Sequence, residues 1–150
     1  MRILDLETLK SKTILKVDSK SNFSIKPNLL SKVSLKKEYR FEFTKSNLKN
    51  KIIYKCIAKK DVNLDLKITL STKDINIQNV DVFLEIYILN LHEDNNIVVQ
   101  PFLEIPNKNI KFEHKVTVGA PSQKWVHYLN SRGLSNNQAL KLISESFITG

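Results

Sequence analysis

The chain carries three histidines and one cysteine, the side chains that, with carboxylates, most readily ligate metals or do covalent chemistry. They are sparse. Cys56 stands alone, so one chain can build neither a thiolate-only metal centre nor an internal disulfide. It sits between Lys55 and Ile57 in a strand-like run and reads as a small buried hydrophobe. His92, in "NLHEDNN", belongs to a turn, and His127 falls beside Tyr128 in a helical segment, packed or facing solvent. His114, in "KFEHKVTV", is a lone strand histidine, by default structural or solvated. Nothing resembles a nucleophile–base pair, a phosphate-cradling loop or a paired-carboxylate site, so no enzymatic activity is expected.

The elements that must position these residues are mostly strands. In "VNLDLKITL" Val62, Leu64, Leu66, Ile68 and Leu70 alternate with polar residues, giving one buried and one solvated face. "YRFEF" repeats the pattern through Tyr39, Phe41 and Phe43. "DVFLEIYIL" is apolar on both faces apart from Glu85 and reads as a more enclosed strand. "NIVVQPFLEI" and "NIKFEHKVTV" supply two more, separated by "PNKN". Alternating short strands bounded by Asn, Asp, Ser and Lys predict an all-β core: sandwich, barrel or solenoid. Its three glycines, Gly119, Gly133 and Gly150, all lie at or beyond the end of the strands. Tight Asn-Gly hairpins are therefore missing, and Asn-bearing turns such as "KSNLKN", "EDNN" and "PNKN" must do the bending. Such wider turns suit a coiling solenoid at least as well as a meander, although no repeat of fixed length is visible. The first 17 residues could form a strand pair or an amphipathic helix, and "SKSNFSIKPNLLSK" reads as loop.

After about residue 120 the pattern turns helical. Ser122 is placed to cap a helix over "QKWVHYLNSR", and Gly133 to end it. Ser135 and Gln138 have capping-box spacing. Ala139, Leu140, Ile143 and Phe147 then recur along one stripe. The expected division is a β-core over residues 1–120 and a two-helix tail over residues 121–150.

From about residue 90 to 147 the sequence resembles the C-terminal part of the SufB/SufD family, the paired scaffold proteins of the SUF iron–sulfur cluster assembly system. The resemblance is carried by an ordered set of residues. It begins with Pro101, Leu103 and Ile105, then His114 and Thr117. It continues through Tyr128, Leu129, Ser131, Arg132, Gly133, Leu134 and Ser135, and ends with Ala139, Leu142, Ile143 and Phe147. It implies a right-handed β-helix with a C-terminal helical tail; a β-sandwich with such a tail is the alternative from pattern alone. It also implies a homodimer or heterodimer formed through the β-core, and a SufC-like ABC-type ATPase docked on the helices. For that dock the expected anchors are Trp125, Tyr128, Leu129, Arg132, Gly133, Leu140 and Ile143, although by default Trp125, Tyr128, Leu129, Leu140 and Ile143 form the hairpin's own core, with only a partly exposed subset left for a partner. By the same resemblance His114, with Glu113, would hold iron or a transient iron–sulfur cluster at an inter-subunit site, with no permanently bound cofactor. Imidazole and carboxylate are competent iron ligands. Strict alternation, however, sends neighbouring residues to opposite faces. The family's cysteine is missing near His114, where Phe112 stands two residues before it, and Lys115 follows it. A structural adaptor that keeps the ATPase dock and holds no metal is the rival reading.

The net charge of +9 raises nucleic-acid binding as a third reading. The composition argues against it: among 24 basic residues only Arg2, Arg40 and Arg132 are arginines, and base readers favour arginine's planar fork. No run of about 18 apolar residues predicts a membrane span. An acidic, h-region-free N-terminus and a single cysteine fit a cytoplasmic protein.

Overall fold

The computed structural model describes residues 2–4, 12–25 and 29–149. Among these residues nine strands alternate between two parallel sheets. They are β1 (Arg2–Leu4), β2 (Lys12–Val17), β3 (Phe23–Ile25), β4 (Val33–Phe43), β5 (Leu48–Ala58), β6 (Val62–Ser71), β7 (Val80–Asn90), β8 (Asn96–Glu104) and β9 (Ile110–Gly119). Odd-numbered strands form one sheet in the order β1-β3-β5-β7-β9, and even-numbered strands the other, β2-β4-β6-β8. Each turn of chain thus adds one strand to each sheet, and the fold is a β-solenoid. The sandwich alternative is not needed.

The absence of a fixed repeat has a structural cause. Phe23 pairs with Ile52, Leu48 with Val80, and Val80 with Ile110, so successive coils advance by 29, 32 and 30 residues. The strands hold register while the corners vary in length, and a sequence period is smeared out.

Inward-facing side chains stack coil upon coil: Ile52 on Leu84, Tyr54 on Ile86, Leu66 on Val99. The core contains Phe23, Phe41, Phe43, Tyr54, Leu66, Ile68, Leu84 and Ile86, all buried. Phe23 packs edge-on to Phe41 at 5.5 Å between ring centroids, and Phe43 against Phe112 at the same separation. Phe23–Ile25, expected as loop, is a buried strand. Its two apolar side chains align with Ile52 and Tyr54, a tertiary match that three residues cannot announce. Residues 2–4 and 12–17 are strands, but they join different sheets and do not pair with each other.

The corners depend on left-handed backbone at non-glycine residues. Asn47 (φ 61°) and Asn79 (φ 57°) immediately precede β5 and β7, and Lys32 (φ 50°) and Asp61 (φ 55°) precede β4 and β6. Asn tolerates this region best, because its short side chain bonds locally. Asn79 Nδ2 donates to Asn47 Oδ1 at 2.8 Å, so successive corners are stitched together. Asn95 Nδ2 likewise donates to the carbonyl of Lys59 at 3.1 Å, while its Oδ1 accepts from the Val62 amide. The stretch "KSNLKN", read as a turn, is a turn only to Asn47; Leu48 already begins β5 and its side chain is buried.

Two helices follow, α1 (Gln123–Ser131) and α2 (Asn136–Thr149). Ser122 occupies the N-cap position of α1, yet its side chain makes no capping bond. Gly133 (φ 93°) ends α1 in a Schellman arrangement. The Gly133 amide donates to the Asn130 carbonyl and the Leu134 amide to the Leu129 carbonyl. The capping box forms as expected: Gln138's amide donates to Ser135 Oγ, and the Ser135 amide to Gln138 Oε1. Among the described residues no helix is long and apolar enough to cross a membrane.

Candidate partner-binding surfaces

Strand alternation fixes where the residues of β9 point. Ile110 and Phe112 face inward and are buried. His114, Val116 and Val118 continue that inward row, in register with the buried Leu84, Ile86 and Ile88 of β7. They are nevertheless exposed, Val116 at 37% and Val118 at 44%, because β9 is the last strand of its sheet and no further coil covers it. β8 ends the other sheet, and its inward Ile97, Val99 and Leu103 are only half-buried against the core. The solenoid therefore has an uncapped end, where two strand edges and an apolar interior row meet solvent. Unpaired edges beside apolar surface are where proteins pair or aggregate.

Glu113 lies on the opposite, outward face of β9, 3.4 Å from Lys111 Nζ. Lys115 is on that same face, its ammonium 5.8 Å from the Tyr87 ring centroid. The structure thus separates Glu113 from His114, as alternation requires, with no bulge to rejoin them. Cys56 is fully buried in β5, and burial pushes its thiol up to about 12, with a hydrogen bond to Tyr54 pulling the other way. Among the described residues no three of His, Cys, Asp and Glu gather as a metal site would need. The described donors of one chain therefore do not assemble an iron site.

The second surface is on the tail. Trp125 and Tyr128 on α1, with Arg132 at its C-cap, recur at helical spacing along one face. Trp125 meets Tyr128 in a T-shaped contact at 5.9 Å, and the Arg132 guanidinium lies 5.4 Å from the Tyr128 ring centroid. Trp125 is 61% exposed. Tyr128 thus touches both of its neighbours, and the three side chains form one exposed run. Leu129, Leu140 and Ile143 are half-buried instead, in a hairpin whose helices pack together around the buried Val126 and Ala139. Gly133 makes the elbow. His127 is exposed, and His92, in the corner between β7 and β8, accepts at Nδ1 from the Asp94 amide.

The hairpin also packs against β5 of the solenoid. Near the end of α2, the Phe147 carbonyl accepts a hydrogen bond from Lys55 Nζ at 3.3 Å, and the same ammonium lies 5.7 Å from the Phe147 ring centroid. Lys55 is on the outer face of β5, two strands inside the edge.

Sequence reasoning missed the exposed inward row of β8 and β9, which alternation places but only the last coil leaves bare. It also missed a charged cluster on the outer face of the four-stranded sheet. There Arg40 binds Glu42 at 3.2 Å and Glu104 at 2.7 Å, and Ser71 Oγ donates to Glu104 at 2.7 Å. Lys73 adds a contact to Glu42 at 3.1 Å. The hydrogen bond from Lys73, joined by that from Arg40, holds the Glu42 carboxyl below its ordinary range; those from Arg40 and Ser71 do the same for Glu104. Arg40 and Glu42 are sequence neighbours, but Ser71 and Glu104 join them from successive coils and are brought there by coil register.

A parallel β-solenoid that carries a C-terminal helical hairpin and ends in an uncapped coil is the class of protein these features define. A sequence profile described as "SUF system FeS cluster assembly, SufBD core domain" matches residues 30–147. The chain belongs to that family, as the ordered residues of its C-terminal half anticipated. Among curated proteins, none matches the chain.

Proposed function

We propose that the chain is a non-catalytic, cytoplasmic subunit of a SUF iron–sulfur assembly complex, pairing through the uncapped solenoid end and docking a SufC-type ATPase on its helical tail. Family membership supports the setting. The observation that carries the docking half is the exposed Trp125–Tyr128–Arg132 stack on α1. Aromatic and arginine side chains dominate interface energetics. Truncating such an anchor costs on the order of 2 kcal/mol or more. The uncapped row of His114, Val116 and Val118 supports the pairing half.

The test is capture of a purified SufC-type ATPase by the full chain. Trp125→Ala and Tyr128→Ala should each weaken capture roughly thirtyfold while leaving the far-ultraviolet circular dichroism unchanged. No capture by the wild-type chain would remove the docking half of the proposal.

The geometry favours the adaptor form of this reading, in which the chain holds no metal alone. His114 is one exposed imidazole, Glu113 faces away, and Cys56 is sealed in the core. Iron and sulfide are then cargo of the complex, held if at all with donors from another chain. Anaerobic reconstitution with iron and sulfide, comparing wild type with His114→Ala, should show equal, near-zero retention by the isolated chain. Stoichiometric retention that depends on His114 would overturn the adaptor form.

A further inference from the structure

The net charge of +9 is not absorbed by either surface described above. Part of it gathers at one place on the outer face of the five-stranded sheet. There the corner between β2 and β3 meets the starts of β5 and β7 and encloses a cleft of about 470 Å3. Lys20 of the corner lines it together with Lys49 and Lys51 of β5, and among the described lining residues Asp81 is the only acid. Lys51 also lies 3.4 Å from Glu85. Lys20, Lys49 and Asp81 enter no ion pair among the described residues.

The corner is held over the cleft by a polar residue in an apolar row. Asn50 faces inward on β5, between the buried Leu48 and Ile52, and is itself only 4% exposed. Its Oδ1 has no partner among the described residues, a cost that an apolar side chain there would not carry. Its Nδ2 donates to the carbonyls of Ser19 at 3.0 Å and Ser21 at 2.6 Å, the two residues that flank Lys20. The Lys51 amide donates to Asn22 Oδ1 at 3.1 Å and ties down the end of the same corner. The backbone on both sides of Lys20 is thus fixed against β5, which brings a third lysine to two that the strand already supplies.

The geometry points to a small phosphate monoester as the ligand of this cleft, with its phosphate among Lys20, Lys49 and Lys51 and its organic part against the half-buried ring of Phe83. Charge and shape select the group. Three lysines less Asp81 leave a lining charge of +2. A phosphate monoester carries about −1.5 to −2 near neutral pH, whereas a diester or a carboxylate carries a single charge. Separate ammonium groups suit a tetrahedral group as point charges, while a planar carboxylate is better met by the arginine fork, and no arginine is among the described lining residues. The volume falls within the roughly 300–1,000 Å3 of small-molecule sites, which pair an apolar wall with a few convergent polar groups.

The test is an amide-resolved NMR titration of the full chain at low ionic strength, with phenyl phosphate, methyl phenyl phosphate and inorganic phosphate as probes. Phenyl phosphate should bind with a Kd of about 1 mM or tighter and shift the amides of Lys20, Lys49 and Lys51 together. Methyl phenyl phosphate lacks the second charge and inorganic phosphate lacks the ring, so each should bind roughly fivefold more weakly. Lys20→Met and Lys49→Met should each weaken phenyl phosphate about tenfold, and Asp81→Asn should tighten it about threefold. Phe83→Leu should bring phenyl phosphate close to inorganic phosphate. Lys20 and Lys49 are exposed, so circular dichroism should be unaltered in their variants. No saturable binding of phenyl phosphate, or binding indifferent to both lysine variants, would overturn the site. Equal binding of the diester, the group a nucleic-acid backbone presents, would overturn the monoester. Equal binding of inorganic phosphate would overturn the part given to Phe83.

Discussion

Arg40 shows how one side chain can tie coils that share no local sequence. It spans Glu42 on its own strand and Glu104 on β8, with Ser71 of β6 between them. Both carboxyls have folded values below their unfolded ones. A group of this kind adds stability above the ordinary carboxylate range, about pH 4.3, and loses it as pH falls through the depressed folded value. Arg40→Met should therefore destabilise the protein at neutral pH and flatten its acid-unfolding profile below about pH 5. Urea midpoints at pH 7 and pH 3.5 would check this; parallel losses for wild type and variant would contradict it. The effect should be partial, because Glu104 is half-exposed and Glu42 keeps its hydrogen bond to Lys73, the first cause of its shift. Cys56 gives a simpler expectation. With its thiol buried and pushed up to about 12, it should resist thiol reagents in the folded protein and react at once in denaturant; rapid native labelling would be the contrary result. Its burial was legible from the strand-like run around it. The Arg40 cluster was not, because no local rule relates residues 40, 71 and 104.

At the scale of elements, the strands with strict alternation and the helices with punctuated ends were readable, and for a shared reason: their signals are local. Val62 to Leu70 could be placed by period two alone, and Gly133 by the positive φ that a Schellman end needs. Phe23–Ile25 was not readable, since three residues become a strand only by matching Ile52 and Tyr54 a coil away. The Ser122 hydroxyl was overread: the position caps, but its side chain does not take part. Two glycines give a paired prediction. A methyl group at Gly133 meets no atom but must adopt φ 93°, so Gly133→Ala should destabilise the hairpin by about 1 kcal/mol. Gly119 has open space and no positive φ, so Gly119→Ala should be nearly neutral. Amide exchange across α1 and α2 distinguishes the two; equal protection in both variants would refute the distinction.

For the whole molecule, coils interact only with their neighbours, so stability is close to a sum of stacking terms along the axis. A defect in the middle should therefore cost more than one at the uncapped end. Phe41→Ala, in a fully buried position between β2 and β6, is expected to cost about 3–5 kcal/mol. Val118→Ala, half-exposed on β9, should cost less than about 1 kcal/mol in the monomer. Chemical denaturation of both, at concentrations low enough to exclude association, tests the gradient. The anchoring of the tail has a mechanical consequence. The hairpin is joined to the solenoid covalently at the end of β9 and again, through Phe147 on Lys55, at β5. A pull on the hairpin by a partner reaches the edge strand and a strand two places inward together. Force on the hairpin is thus shared across β5, β7 and β9 of one sheet, where a hairpin held only by its covalent link would load the edge strand alone.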